Sequence, residues 1–180
     1  MNATSYWQLY VHLVWATWDR AGLITPHVES VARAGLLAKA RELGCTTLAI
    51  GGIENHVHHL LAVPATIPVA RIAQELKGSS AHLVNTRFGD HVLRWQAGYG
   101  AFSISKRDID RVIAYVRNQR EHHDRDRLCV ELERIHPEMS DESTPRPVGY
   151  PTDRHARPID RHAHPPDATV PPAKADGHIA

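Results

Sequence analysis

From Tyr6 to Thr17 aromatic and branched residues follow one another with few interruptions, which predicts a long strand. Between Pro26 and Leu43 the apolar positions Val28, Val31, Ala32, Leu36, Ala40 and Leu43 return at helical spacing, and Gly44 is a natural stop. Thr46 to Gly51 reads as a short strand ending at the Gly51-Gly52 turn, and Val57 to Val63 as a second. A helix is expected from Pro68 to Val84, with Val69, Ile72, Ala73, Leu76 and Ser80 along one stripe. Phe102 to Ile104 forms another short strand. A last helix runs from Lys106 to about His122, where Ser105 and Asp108 stand close to a capping arrangement. The order β-α-β-β-α-β-α is that of an α+β, ferredoxin-like split β-α-β sandwich with an added C-terminal helix.

The pattern changes near residue 137. Nine of the chain's 12 prolines lie from Pro137 to the end, among few large apolar residues, so burial there cannot offset the entropy of ordering. The expected division is a folded domain over 1–130 and a disordered Pro/His/Arg-rich tail over 131–180. The 180 residues suffice for one domain and an appendage. A net charge of +1 offers no bulk argument for nucleic acid, so any basic surface must come from local clustering. Two cysteines, Cys45 and Cys129, exclude a disulfide framework and a four-thiolate zinc site. No apolar run approaches the ~20 residues a membrane helix requires. The start of the chain lacks a basic, apolar leader, and a cytoplasmic setting is the expectation.

Three groups of residues carry candidate chemistry. His56-Val57-His58 places two imidazoles on one face of a strand, because side chains alternate, and such a pair can share a metal ion. His59 points with Val57 and Leu61, away from that pair. On the last helix Ile109, Val112, Ile113 and Val116 form the apolar stripe. Tyr115 and Gln119 sit one above the other about 90° around from it, at ~100° per residue, where a side chain can reach a cleft. The run Trp95-Gln96-Ala97-Gly98-Tyr99-Gly100-Ala101-Phe102-Ser103 spaces aromatics with glycines, a composition that suits stacking on unpaired bases.

Taken in order, several stretches resemble the tyrosine HUH transposases, the small single-strand transposases of the insertion-sequence 200/605 type and their relatives associated with repetitive extragenic palindromes (REPs). They are Tyr10-Val11-His12-Leu13-Val14-Trp15-Ala16-Thr17, Asn55-His56-Val57-His58, Leu76-Lys77-Gly78-Ser79-Ser80, the Trp95 to Ser105 run, Tyr115-Val116-Arg117-Asn118-Gln119 and Glu121-His122-His123. The resemblance covers residues 6 to about 125. It implies that His56, His58 and Gln119 bind a divalent metal, Mg²⁺ or Mn²⁺, and that Tyr115 is the nucleophile, so the last helix is the catalytic one. It further implies cleavage and rejoining of hairpin-bearing single-stranded DNA through a 5′-phosphotyrosine, by a bacterial homodimer whose tyrosine helix serves the partner's histidines. Lys77, Arg87, Arg94, Trp95, Tyr99 and Arg107 are the candidate DNA contacts. The alternative is a single-stranded nucleic-acid-binding protein of the same fold without catalysis.

Overall fold

A computed structural model of the chain describes residues 6–125 and 128–135. Four strands, β1 (Tyr10–Ala16), β2 (Thr46–Ile53), β3 (His56–Ala62) and β4 (Gly100–Ile104), form one antiparallel sheet in the order β2-β3-β1-β4. Helices α1 (Pro26–Glu42) and α2 (Val69–Phe88) occupy the two crossovers. This is the β-α-β-β-α-β order and strand arrangement expected from the hydrophobic pattern.

The first helix begins where Pro26 holds the first turn and the Thr25 hydroxyl accepts from the Val28 amide at 3.4 Å. Its buried residues Val28, Ala32, Leu36 and Ala40 join Ile72, Ala73, Leu76 and Val84 of α2. Together they cover the sheet face built by Leu13, Trp15, Ile50, Val57 and Leu61. The alternation of β-strand side chains sends Val14, Ala16, His56, His58 and Leu60 to the other face.

That second face receives the end of the described chain. Helices α3 (Ile109–Arg117) and α4 (Gln119–Asp124) replace the single helix expected over this stretch, because Asn118 leaves helical geometry at φ −102° and ψ 25°. Val112 and Val116 of α3 bury against Ala49 and Leu60, contacts worth about 1.5–3 kcal/mol per side chain. The approach is close because β2 carries Gly51 there: a Cβ at Gly51 would stand 1.6 Å from the Val116 carbonyl oxygen. Gly100 does the same for the next segment, where a Cβ would stand 2.0 Å from the Arg134 carbonyl oxygen.

Residues 128–135 extend the packed unit past the boundary at residue 130. They include the single turn α5 (Val130–Glu133), and Ile135 buries against Val14, Ala16 and Phe102. The apolar pair Leu132 and Ile135 has the spacing of one helical turn, enough to dock a short segment on an existing surface. The expected tail from residue 136 onward lies outside the described residues.

These close approaches predict opposite effects for two Gly→Ala changes. Gly51→Ala lowers the unfolding free energy by about 1–3 kcal/mol by pushing α3 off the sheet. Gly78, in α2 with open space around it, gains about 0.5–1 kcal/mol as alanine. Urea unfolding of both variants checks the pair, and a neutral Gly51→Ala would contradict the described seating of α3.

Candidate metal and nucleophile site

β3 delivers His56 and His58 to the same sheet face, and both are buried. Each ring is held through its Nδ1. His56 Nδ1 lies 2.8 Å from the Asn55 side-chain oxygen, and His58 Nδ1 lies 2.9 Å from Nε2 of the buried His12 on β1. The Asn55 contact fixes the His56 proton on Nδ1, since the amide oxygen only accepts.

Both Nε2 atoms face Glu133, at 3.5 Å for His56 and 3.3 Å for His58. One donor atom from each of these three residues lies within 4.8 Å of the others, the spread a single ion could bridge. His123 brings a third ring nitrogen to within 3.3 Å of His56 Nε2.

Tyr115 is buried on α3 with its ring perpendicular to that of His58, centroids 6.0 Å apart. Its hydroxyl donates to Glu133 and accepts from the Cys129 amide at 3.2 Å. One carboxylate thus meets both histidines and the tyrosine. Gln119 follows at the start of α4, buried beside Tyr115 and His56, and its amide atoms lack a hydrogen bond of ordinary geometry among the described residues. A buried amide left this way is available to an added ligand.

Burial sets the charge states. Desolvation, helped by the neighbouring His58, lowers His12 to about 3 and His56 to about 4. Burial raises the Tyr115 hydroxyl to about 12, and its bond to Glu133 adds to the rise. Burial alone would raise Glu133, but its contacts with His58, Tyr115 and His56 outweigh this and bring it to about 2. The result is a carboxylate beside the neutral ring of His56, a ligand state that suits a divalent cation.

The other candidate residues divide. Lys77 places all three ammonium donors on the carbonyls of Gln96, Ala97 and Gly98, at 2.7, 2.9 and 2.9 Å. Burial lowers it to about 8, so it stays charged at neutral pH while holding the glycine-spaced loop in shape. Trp95 turns inward, where its indole N–H donates to Ser80 at 3.1 Å and its ring meets Trp15 edge-on. Tyr99 is half-buried against the same core. Burial draws these two aromatics toward the core, since the strand they lead into needs an apolar flank. Arg87, Arg94 and Arg107 are exposed. Arg94 lies over the ring of the exposed Trp18, 3.6 Å from its centroid. His59 faces the opposite side of the sheet, bonded to Thr47 at 2.9 Å.

Glu133 and His12 escaped the sequence reading. Glu133 fell within the expected tail, although Leu132 and Ile135 beside it carry a one-turn apolar signal. His12 shares the strand parity of Val14 and Ala16, but nothing in sequence spacing relates it to His58.

Residues 5–119, more than half of the chain, match the family described as "Transposase IS200 like". The chain belongs to the IS200-like transposases. Among solved structures it is similar to a candidate transposase from Deinococcus radiodurans, with 22% identity, TM-score 0.54, and coverage of 66% of this chain and 96% of that one. It is also similar to a REP-associated tyrosine transposase bound to a REP hairpin, with 16% identity, TM-score 0.50, and coverage of 68% and 74%. At these identities the likeness shows the fold. A search of the curated proteins found no match. Among the described residues no helix is long and apolar enough to cross a membrane.

The depressed histidines carry a signature in stability. Unfolded, such rings titrate near 6.5, whereas His12 and His59 titrate at about 3 and His56 at about 4 in the fold. Below pH 6.5 the unfolded chain therefore binds protons that the folded chain refuses. Stability is full above about pH 6.5 and falls toward pH 4, by up to about 4 kcal/mol per pH unit if all three rings contribute. Denaturant midpoints at pH 7.5, 6 and 5 test this, and an unchanged midpoint at pH 5 would count against buried neutral rings.

Proposed function

We propose that this IS200-like transposase cleaves and rejoins single-stranded DNA by attack of Tyr115 on a phosphodiester, with His56, His58 and Glu133 holding a divalent ion beside it. The observation that carries this reading is the convergence of the Tyr115 hydroxyl and both histidine Nε2 atoms on the Glu133 carboxylate. Gln119 is assigned as the further ligand, since its buried amide has no hydrogen bond of ordinary geometry among the described residues.

Tyr115 in its resting state is a poor nucleophile, because burial holds the hydroxyl protonated. Glu133, already its hydrogen-bond acceptor, is placed to take the proton. The tyrosine oxygen then forms a bond to phosphorus as the bond from phosphorus to the 3′ oxygen breaks. The departing oxygen takes a proton and leaves as a free 3′ hydroxyl, and the 5′ phosphate stays on Tyr115. That linkage keeps the energy of the broken phosphodiester, so a second 3′ hydroxyl can reverse the step without ATP. Mg²⁺ or Mn²⁺ in the site would supply Lewis acidity to the scissile phosphate.

The substrate is read as single-stranded DNA bearing hairpins, in line with the REP-bound relative and a cytoplasmic, DNA-facing role. The exposed Arg87, Arg94 and Arg107 are assigned to phosphate contact, and Trp18, capped by Arg94, offers an exposed aromatic next to the strand end that carries the site. Lys77 contributes by holding the loop, with Trp95 and Tyr99, against the core.

A homodimer with shared sites is the assembly the resemblance implies. Sites completed within one chain are the other arrangement, in which Arg120 ties α4 to its own Glu29 and Glu54 at 2.9 and 2.8 Å. Mixing His56→Ala with Tyr115→Phe separates the two assemblies. Sites built within one chain leave the mixture inactive, whereas shared sites restore part of the activity.

The decisive assay is a denaturing gel of purified protein, Mn²⁺ and labelled hairpin-bearing single strands from the DNA flanking its gene. A covalent adduct is expected with the native chain and none with Tyr115→Phe. Glu133→Ala should slow adduct formation by about 10²–10⁴-fold, the range for loss of a proton acceptor. Binding without an adduct across a broad panel of hairpins would replace this reading with a noncatalytic DNA-binding module.

A further inference from the structure

Both metal-facing nitrogens are Nε2, and each ring is gripped at Nδ1 by a different kind of partner. Asn55 holds His56 with an oxygen that can only accept. His58 is held by another imidazole, from a neighbouring strand. In the sheet register His12 lies opposite Leu60 while Val14 lies opposite His58, so His12 and His58 are diagonal neighbours on one face. Their ring planes differ by 6° and their centroids are 5.0 Å apart, with 2.9 Å between the facing nitrogens. With parallel rings and nitrogens this close, the pair shares a hydrogen bond in addition to its parallel ring contact.

The geometry points to His12 as the positioning residue of the metal site: it accepts the Nδ1 proton of His58 and thereby leaves the His58 Nε2 lone pair for the ion. This rests on the reading of His56, His58 and Glu133 as ligands.

A hydrogen bond between two imidazoles holds one proton, and its placement decides the outcome. With the proton on His58 Nδ1, the single hydrogen of neutral His58 is used and Nε2 is free to ligate. With the proton on His12 Nε2, His58 must carry its own hydrogen on Nε2, where it meets Glu133 at 3.3 Å and blocks ligation. His12 is therefore more than a spacer, since it can occupy either side of this balance. Its environment favours neutrality: it is fully buried, and Phe102 lies 5.8 Å away, centroid to centroid. Its Nδ1 has no hydrogen-bond partner among the described residues. A purely structural histidine at this depth would be expected to satisfy both nitrogens. With Nδ1 unpartnered among the described residues, the contact with His58 is what orients the His12 ring through hydrogen bonding.

An amide oxygen at the end of a glutamine side chain falls near the position of a histidine Nε2, whereas asparagine is too short to reach it. His12→Gln therefore keeps an acceptor for His58, while His12→Asn and His12→Leu remove it. Mn²⁺ binding to the full chain without DNA, followed by electron paramagnetic resonance, should weaken by about 10–100-fold in His12→Asn and His12→Leu. His12→Gln should stay within about threefold of the native chain. Nitrogen-15 histidine spectra of the Zn²⁺-loaded native protein should show His58 protonated on Nδ1. If His12→Leu does not fold, the Asn and Gln pair still decides, because both are polar and differ only in reach.

Native Mn²⁺ affinity in His12→Asn and His12→Leu, or Nε2 protonation of His58 with zinc bound, overturns the role of His12 alone. A native chain that binds no Mn²⁺, with or without single-stranded DNA, overturns the metal-site reading beneath it.

Discussion

The site depends on keeping imidazoles uncharged where water has been excluded. A buried histidine strongly favours its neutral form, because the charged ring loses its hydration. Here that penalty falls on His12, His56 and His59 together, and it fixes them as neutral donors and acceptors rather than cations. Neutral rings have one free lone pair each, and what holds their Nδ1 atoms decides where that lone pair points. Asn55 settles the matter for His56, and the contact with His12 is where it is settled for His58. Glu133 supplies the negative charge that neutral rings cannot.

This arrangement is built on one sheet face, while the other face does the ordinary work of stability. Helices α1 and α2 bury Leu13, Trp15, Val57 and Leu61, and that packing holds β1 and β3 in register. A one-residue slip would turn His56 and His58 toward the helices and His59 toward the site. The apolar side therefore enforces the polar side. The tyrosine helix is then seated against β2 by the missing side chain at Gly51, and the Glu133 segment against β4 by the one missing at Gly100. Two glycines on different strands set how deeply Tyr115 and Glu133 descend.

The aromatic loop shows how burial redirects residues that look functional in sequence. Trp95 and Tyr99 have the spacing of a stacking surface, yet the core needs their area more than the solvent side does. Lys77 follows the same logic: three carbonyls of a tight loop hold its ammonium, from Gln96, Ala97 and Gly98. Trp18, just after β1, and Arg94 above its ring stay exposed as an aromatic–cation pair.

Much of this protein was legible in the order of its residues. Runs of branched and aromatic residues located all four strands, and a period of 3.6 located both crossover helices, because each helix must bury one face and the apolar stripe records which. The His56-Val57-His58 parity and the position of Tyr115 beside its apolar stripe followed from the same local geometry. What the order of residues could not contain was distance between elements. The partnership of His12 with His58 spans two strands, and Glu133 reaches the site only because Leu132 and Ile135 dock on a sheet formed far earlier in the chain. Local pattern decides which face a side chain occupies; only the packed sheet and helices decide which other side chain it meets there.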